Sequence, residues 1–278
     1  MIATTHCESS TPFPGRTGRG IRVAVIDSGA NTAHPHICAP TRTVLLDRPA
    51  KGEYGAAAAR VEDTLGHGTA VAAAIQEKAP EAEYFAVKLF DTSLRATTHR
   101  LLEAIEWTIE HRMDVVNLSV GTPNTDAWAK FQALIHRASA AGAVFVSVRR
   151  SGLLPLLPGA LPEVIGVDVD WDLPRHRYRA AQADGRWYFF ASANARPHSG
   201  VPGGKNLSGI SFAAANMTGF VARACEALKE RSVHAVREAL AAEAEGLRGG
   251  APRMRPDRSM KFAGILSTGV QGENCKTA

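Results

Sequence analysis

The chain has 278 residues, of which 45% are hydrophobic and 21% charged, the composition of an ordinary folded domain with enough chain to bury a full core. Disordered and collagenous classes are excluded. Apolar runs such as Ile21 to Ile26 and Gly142 to Val148 are far shorter than the roughly 20 residues a membrane-spanning helix needs, so no membrane role is expected. Lys and Arg total 32 against 27 Asp and Glu, a net charge of +5. This excess is scattered, densest from Arg253 to Lys261, and no RNA-binding or zinc-finger pattern accompanies it, so no nucleic-acid partner is expected.

Taken in chain order, the first 20 residues carry no apolar signal-peptide core, and a cytoplasmic location is the expectation. Cys7, Cys38, Cys225 and Cys275 are widely separated and read as free thiols. The simplest division is an extension over 1–20, one domain over 21–248 and a tail over 249–278. Short apolar runs predict strands at Ile21 to Asp27, Glu83 to Phe90, Asp114 to Gly121, Ala143 to Val148 and Glu163 to Val169.

Between the strands lie helical patterns that start after Gly66, at Thr97 and at Ala127. In the second of these, Leu101, Leu102, Ile105 and Ile109 form one face, and Thr97 or Thr98 caps its start. The aromatic, turn-rich stretch from Asp170 to Lys205 predicts one or two β-hairpins beside the main sheet. Helices follow at Ser211 to Glu230 and at Ser232 to Ala244, the latter with Ser232 as N-cap. Strand and helix alternate, which implies an α/β fold with a mostly parallel central sheet and helices on both faces. Such sheets bind ligands at the carboxyl ends of their strands.

Three segments carry chemistry. Asp27 ends an apolar strand in AVIDSG, where a carboxylate is able to orient an imidazole. His67 lies between glycines in GHGTAVA, which lets backbone approach closely, and Ser211 opens a long helix in SGISFAAANMTG. Alone, each reads as a turn, a packed side chain or an N-cap. The helix start at Ser211 also favours a developing anion. His34 and His36 form an H-x-H pair without a third ligand, no acidic loop supports calcium, and neither metal nor cofactor is expected.

Together, the order Asp27, His67, Ser211 is that of the subtilisin version of the hydrolase triad. On these three segments the chain resembles a subtilisin-like serine peptidase of the subtilase family, and FAVKLF, VVNLSVG and LPEVIGVDVD extend the resemblance from Ile21 to Ala244. The resemblance implies that Ser211 attacks a peptide carbonyl, His67 transfers the proton and Asp27 orients the imidazole. It also implies that Ser119, Val120 and Gly121 pair with an extended peptide substrate.

One oxyanion donor would be the Ser211 amide. At the position of the family's second donor, an Asn, the chain has Arg150, preceded by Arg149 in place of glycine. An arginine is itself a donor, and the pair suggests acidic substrates near the scissile bond. Just after Ser211, Ala215 and Asn216 replace the family's Pro and His, with no mechanistic effect expected.

The function expected is that of an intracellular processing endopeptidase for a specific peptide or precursor. With no propeptide expected ahead of Ile21, the protein is expected either to fold unaided or to be assisted by an accessory protein. Two alternatives stand beside this: a non-catalytic peptide-binding scaffold that lacks a working oxyanion hole, and an acyl-transferring, macrocyclising variant.

Overall fold

The computed structural model describes residues 11–46, 62–198, 206–246 and 264–265. Its centre is a nine-stranded sheet. In chain order the elements are β1 (Arg22–Asp27), β2 (Thr41–Leu45), α1 (His67–Gln76), β3 (Glu83–Lys88), α2 (Thr98–Glu110), β4 (Val115–Leu118), β5 (Val120–Gly121), α3 (Trp128–Ala140) and β6 (Val144–Val148). Then come β7 (Arg150–Ser151), β8 (Leu154–Pro155), β9 (Ile165–Asp170), β10 (Tyr178–Ala183), β11 (Arg186–Ser192), α4 (Ile210–Ala227), α5 (Val233–Glu243), β12 (Glu245–Gly246) and β13 (Gly264–Ile265). The strands run in the order β12-β10-β11-β9-β6-β4-β1-β3-β2, all neighbours parallel except the β10–β11 hairpin.

The apolar strand runs follow from cover on both faces. In β1, Val23 and Val25 join one core with side chains of α1, α4 and α5, while Ala24 and Ile26 join the other with side chains of α2 and α3. A strand with no solvent face loses the polar alternation of a half-exposed one. The chain visits β3 on one side of β1 and then crosses to β4 on the other. That crossover opens a crevice at the carboxyl ends of these strands, the usual ligand position in such sheets.

The mostly parallel sheet matches expectation, with three differences. The hairpin predicted beside the sheet lies within it, because β11 pairs in parallel with β9 from Phe189↔Val167 onward. The half-buried β2, which the pattern of TRTVL did not reveal, adds an edge strand to β3. In α2 the buried face is Leu101, Ala104, Ile105 and Thr108, with Leu102 and Ile109 only partly covered. Ala104 and Thr108 face inward with Leu101 and Ile105, and Leu102 and Ile109 flank the contact.

Thr97 caps α2 and Ser232 caps α5, each accepting a backbone N–H from three residues on. Of the 1–20 extension, the described residues pack on the domain: Phe13 is buried in the core, and the Thr17 and Gly18 amides both donate to Glu226 of α4 at 2.7 Å. The expected 249–278 tail lies outside the described residues apart from β13. Cys225 is buried and free, its thiol pushed up to about 12 by burial, and Cys38 is exposed and free; Cys7 and Cys275 lie outside the described residues. Among the described residues no helix is long and apolar enough to cross a membrane.

Candidate active site

Asp27 is the last residue of β1 and is fully buried. Its Oδ1 accepts the Ser28 amide at 2.8 Å and lies 2.7 Å from His67 Nδ1. A carboxylate only accepts, so Nδ1 carries the proton and Nε2 is the ring's free basic nitrogen. Asp27 Oδ2 is buried without a hydrogen-bond partner among the described residues.

His67 is brought to Asp27 by the way α1 begins. Gly66, the N-cap, has φ 71°, the left-handed region that favours glycine. A Cβ on Gly68 would stand 2.2 Å from the Gly29 carbonyl oxygen, so only glycine lets the helix start rest on the loop after β1. The Gly68 amide donates to Ser28 Oγ at 2.9 Å, which closes that contact.

No side chain at the N-cap satisfies the first turn, and Asp63 does so from upstream. Its Oδ1 accepts the Leu65 and Gly66 amides, while its Oδ2 accepts the Thr69 amide at 2.8 Å and the Thr69 hydroxyl at 2.6 Å. Burial opposes charging of the His67 ring, but the Asp27 charge, the Asp27 hydrogen bond and the charge of Asp63 together raise its pKa above the ordinary histidine value.

Ser211 is the second residue of α4, whose N-cap Gly209 offers no side chain to the first-turn amides. It is buried, and its Oγ donates to the Ser119 carbonyl at 3.2 Å. Ser119 Oγ returns a bond to the Ser211 carbonyl at 3.3 Å. Behind them Asn117 Nδ2 donates to Ser119 Oγ at 2.9 Å, and Thr218 Oγ1 donates to Asn117 Oδ1 at 2.9 Å. Phe212 fixes the spacing on the other side, its ring 5.8 Å from that of His67. Asp27 and His67 are thus bonded to each other, the His67 ring meets Phe212 next to Ser211 at the start of α4, and the Ser211 hydroxyl rests on Ser119.

Asn216 is buried and fully engaged. It accepts from Lys78 Nζ at 2.7 Å and donates to the Ser192 and Asn194 carbonyls, tying α4 to the strand ahead of it. Asp63, Asn117 and Thr218 are not singled out in the sequence as site residues, whereas the glycines beside His67 are, for the close approach that Gly68 makes. Asp63 carries a local signal, an acidic residue three positions before a glycine-rich helix start.

The other expected site residues lie in two places. Ser119 contacts Ser211 and leads into β5, along which β13 lies in parallel, Gly264 opposite Val120 and Ile265 opposite Gly121. Arg149 and Arg150 share one buried carboxylate: Arg149 Nη2 and Arg150 Nε (3.1 Å) both donate to Asp168. Both arginines line a cavity of about 440 Å³ whose walls include none of Asp27, His67 and Ser211. His34 and His36 are joined by His198, with ring centroids 5.1 to 5.8 Å apart. Even so, no group of His, Cys, Asp or Glu among the described residues is arranged to hold a metal.

Residues 18–148 match the model of the subtilase family. A stretch of 119 residues is 39% identical to the minor extracellular protease Epr of Bacillus subtilis (strain 168), covering 39% of this chain and 17% of that relative. The match spans only a small part of the curated relatives, between 10% and 29% of their lengths in other cases. The fold resembles a cold-adapted subtilisin-like serine proteinase with a TM-score of 0.63 and 19% identity over 82% of this chain and 83% of the other. It also resembles the prenylagaramide maturation protease PagA, with a TM-score of 0.59 and 21% identity over 82% and 84%.

Proposed function

Because the chain is similar to the subtilase family over residues 18–148 and has a subtilisin-like fold over most of its length, we propose that it is a serine endopeptidase with Asp27, His67 and Ser211 as its triad. The observation that carries this reading is the 2.7 Å contact between His67 Nδ1 and the fully buried Asp27, set beside a serine at the start of a long helix. An imidazole so held presents Nε2 as a base, and its raised pKa suits it to return the proton to the leaving amine.

For Ser211 to act as the nucleophile, its Oγ leaves the Ser119 carbonyl and turns toward Nε2. Attack on a peptide carbonyl forms the Oγ–C bond and passes the hydroxyl proton to His67. Collapse of the oxyanion expels the amine, which takes that proton, and water then releases the acyl group by the same steps. The Ser211 amide at the α4 N-terminus serves as an oxyanion donor. Arg150 is anchored on Asp168, which supports a role in substrate binding ahead of one at the oxyanion.

The peptide lies in extended form along Val120 and Gly121 by strand addition, taking the place that β13 holds in this structure. Likeness to a maturation protease and the free cysteines Cys38 and Cys225 support a processing role in a reducing compartment. A fluorophosphonate probe tests the triad: wild-type protein is expected to be labelled and to cleave peptides. Ser211→Ala is expected to lose both, with kcat falling on the order of 10⁶-fold. Wild-type protein that binds peptide but is never labelled would make it a scaffold.

A further inference from the structure

We propose that the cavity next to the β7–β8 hairpin is a docking site for an acidic segment of the peptide substrate, separate from the triad. This rests on the endopeptidase reading above and extends it to the class of substrate.

Four arginines, Arg149, Arg150, Arg186 and Arg237, line the cavity together with His234. The one carboxylate lining it among the described residues, Glu238, accepts the Trp187 indole N–H at 2.9 Å. Asp168 beneath the wall is shared between Arg149 and Arg150. The cations therefore outnumber the acids that face them. Arg237 is turned onto the Pro162 and Val164 carbonyls, and its pKa is lowered by burial and then by the charge of Arg186, against the opposing charge of Glu163. Crowded cations with too few counter-charges bind carboxylates well, since Arg presents paired donors to planar anions.

The walls also suit a peptide. Arg149 lies over the Tyr188 ring, 4.8 Å from its centroid, and Trp187 stands beside it. At the rim Leu153 is 85% exposed and Leu154 53% exposed, adjacent apolar side chains that nothing in the fold covers among the described residues. An acidic stretch with a neighbouring apolar residue satisfies both features.

Position links the cavity to the cleft. Pro155 lines it, and the next residue, Leu156, packs against Gly121 so closely that a Cβ there would sit 2.8 Å from its own. Leu157 and Thr122 exchange two backbone hydrogen bonds. A peptide running along β5 therefore leaves the edge within one hairpin of the arginines. The acidic preference first inferred near the scissile bond is moved to a site beyond it.

The test uses the full chain carrying Ser211→Ala, so that binding is read without cleavage. Fluorescence anisotropy compares a labelled peptide bearing a run of glutamates with its glutamine counterpart. The glutamate peptide is expected to bind roughly tenfold more tightly at low salt. The advantage should vanish in Arg186→Glu combined with His234→Glu, both exposed positions, and persist in Lys130→Glu on the exposed face of α3. Equal affinity for the two peptides, or an equal loss in Lys130→Glu, would overturn the proposal.

In the active enzyme the Arg186→Glu change should raise KM for acidic peptides and leave kcat unaltered. Cleavage of both peptides with equal KM would remove the docking site while keeping the peptidase. Selective binding without any cleavage would do the reverse.

Discussion

Asp63 is the most informative residue to change, because it holds the start of α1 and also acts on the charge of His67. In Asp63→Ala three backbone amides and the Thr69 hydroxyl lose their acceptor. Removing a helix cap costs about 0.5 to 2 kcal/mol, and the number of donors left here places this one near 2 kcal/mol. For a domain of this size that lowers Tm by about 4 to 8 °C, at roughly 2 to 4 °C per kcal/mol. Asp63→Asn keeps the shape but presents an amide group toward part of the same set, and should lose about half as much.

The electrostatic consequence has a definite sign. The neutral imidazole is the working base, so kcat/KM rises with pH as His67 loses its proton, through a pKa held above the ordinary histidine value. Asp63 is one of the charges that hold it there, so Asp63→Asn should move the rising limb toward lower pH. By linkage, a raised histidine pKa stabilises the fold below the unfolded-state value, and that contribution is lost as pH rises through the folded value. The stability gap between wild type and Asp63→Asn should therefore widen toward acid pH. Thermal melts across pH and a kcat/KM profile on a short peptide measure both. A limb that stays in place or moves upward, with an unchanged Tm for Asp63→Ala, would refute the assigned role.

Gly68→Ala places a methyl carbon against the Gly29 carbonyl oxygen, so α1 must retreat from the β1 loop and carry His67 with it. It should melt below Asp63→Ala and lose activity even where it remains folded, and melting equal to wild type would count against the close approach. Ending the chain after Gly246 removes β13 from β5. KM for an extended peptide should then fall with little change in kcat, and an unaltered KM would mean that β5 is not the peptide edge.

The sheet could be read in the chain because its strands are covered on both faces, which demands unbroken apolar runs such as Ile21 to Ile26 and Ala143 to Val148. The three motifs were readable for a related reason: a buried carboxylate, a histidine held between glycines and a serine at a helix start each need particular neighbours in sequence. β2 gave no such signal, since a half-buried edge strand tolerates Thr and Arg.

Tertiary structure alone decided where the charges went. The sequence puts Arg149 and Arg150 next to the position of the second oxyanion donor, but Asp168, 18 and 19 positions further on, draws both guanidinium groups to itself. Likewise, the Ser119 and Ser211 contacts join residues 92 apart, and the cation-rich cavity gathers residues from the β7–β8 hairpin, β11 and α5. Local spacing sets which backbone a segment adopts, whereas a long side chain chooses its partner only after the sheet has brought distant segments together.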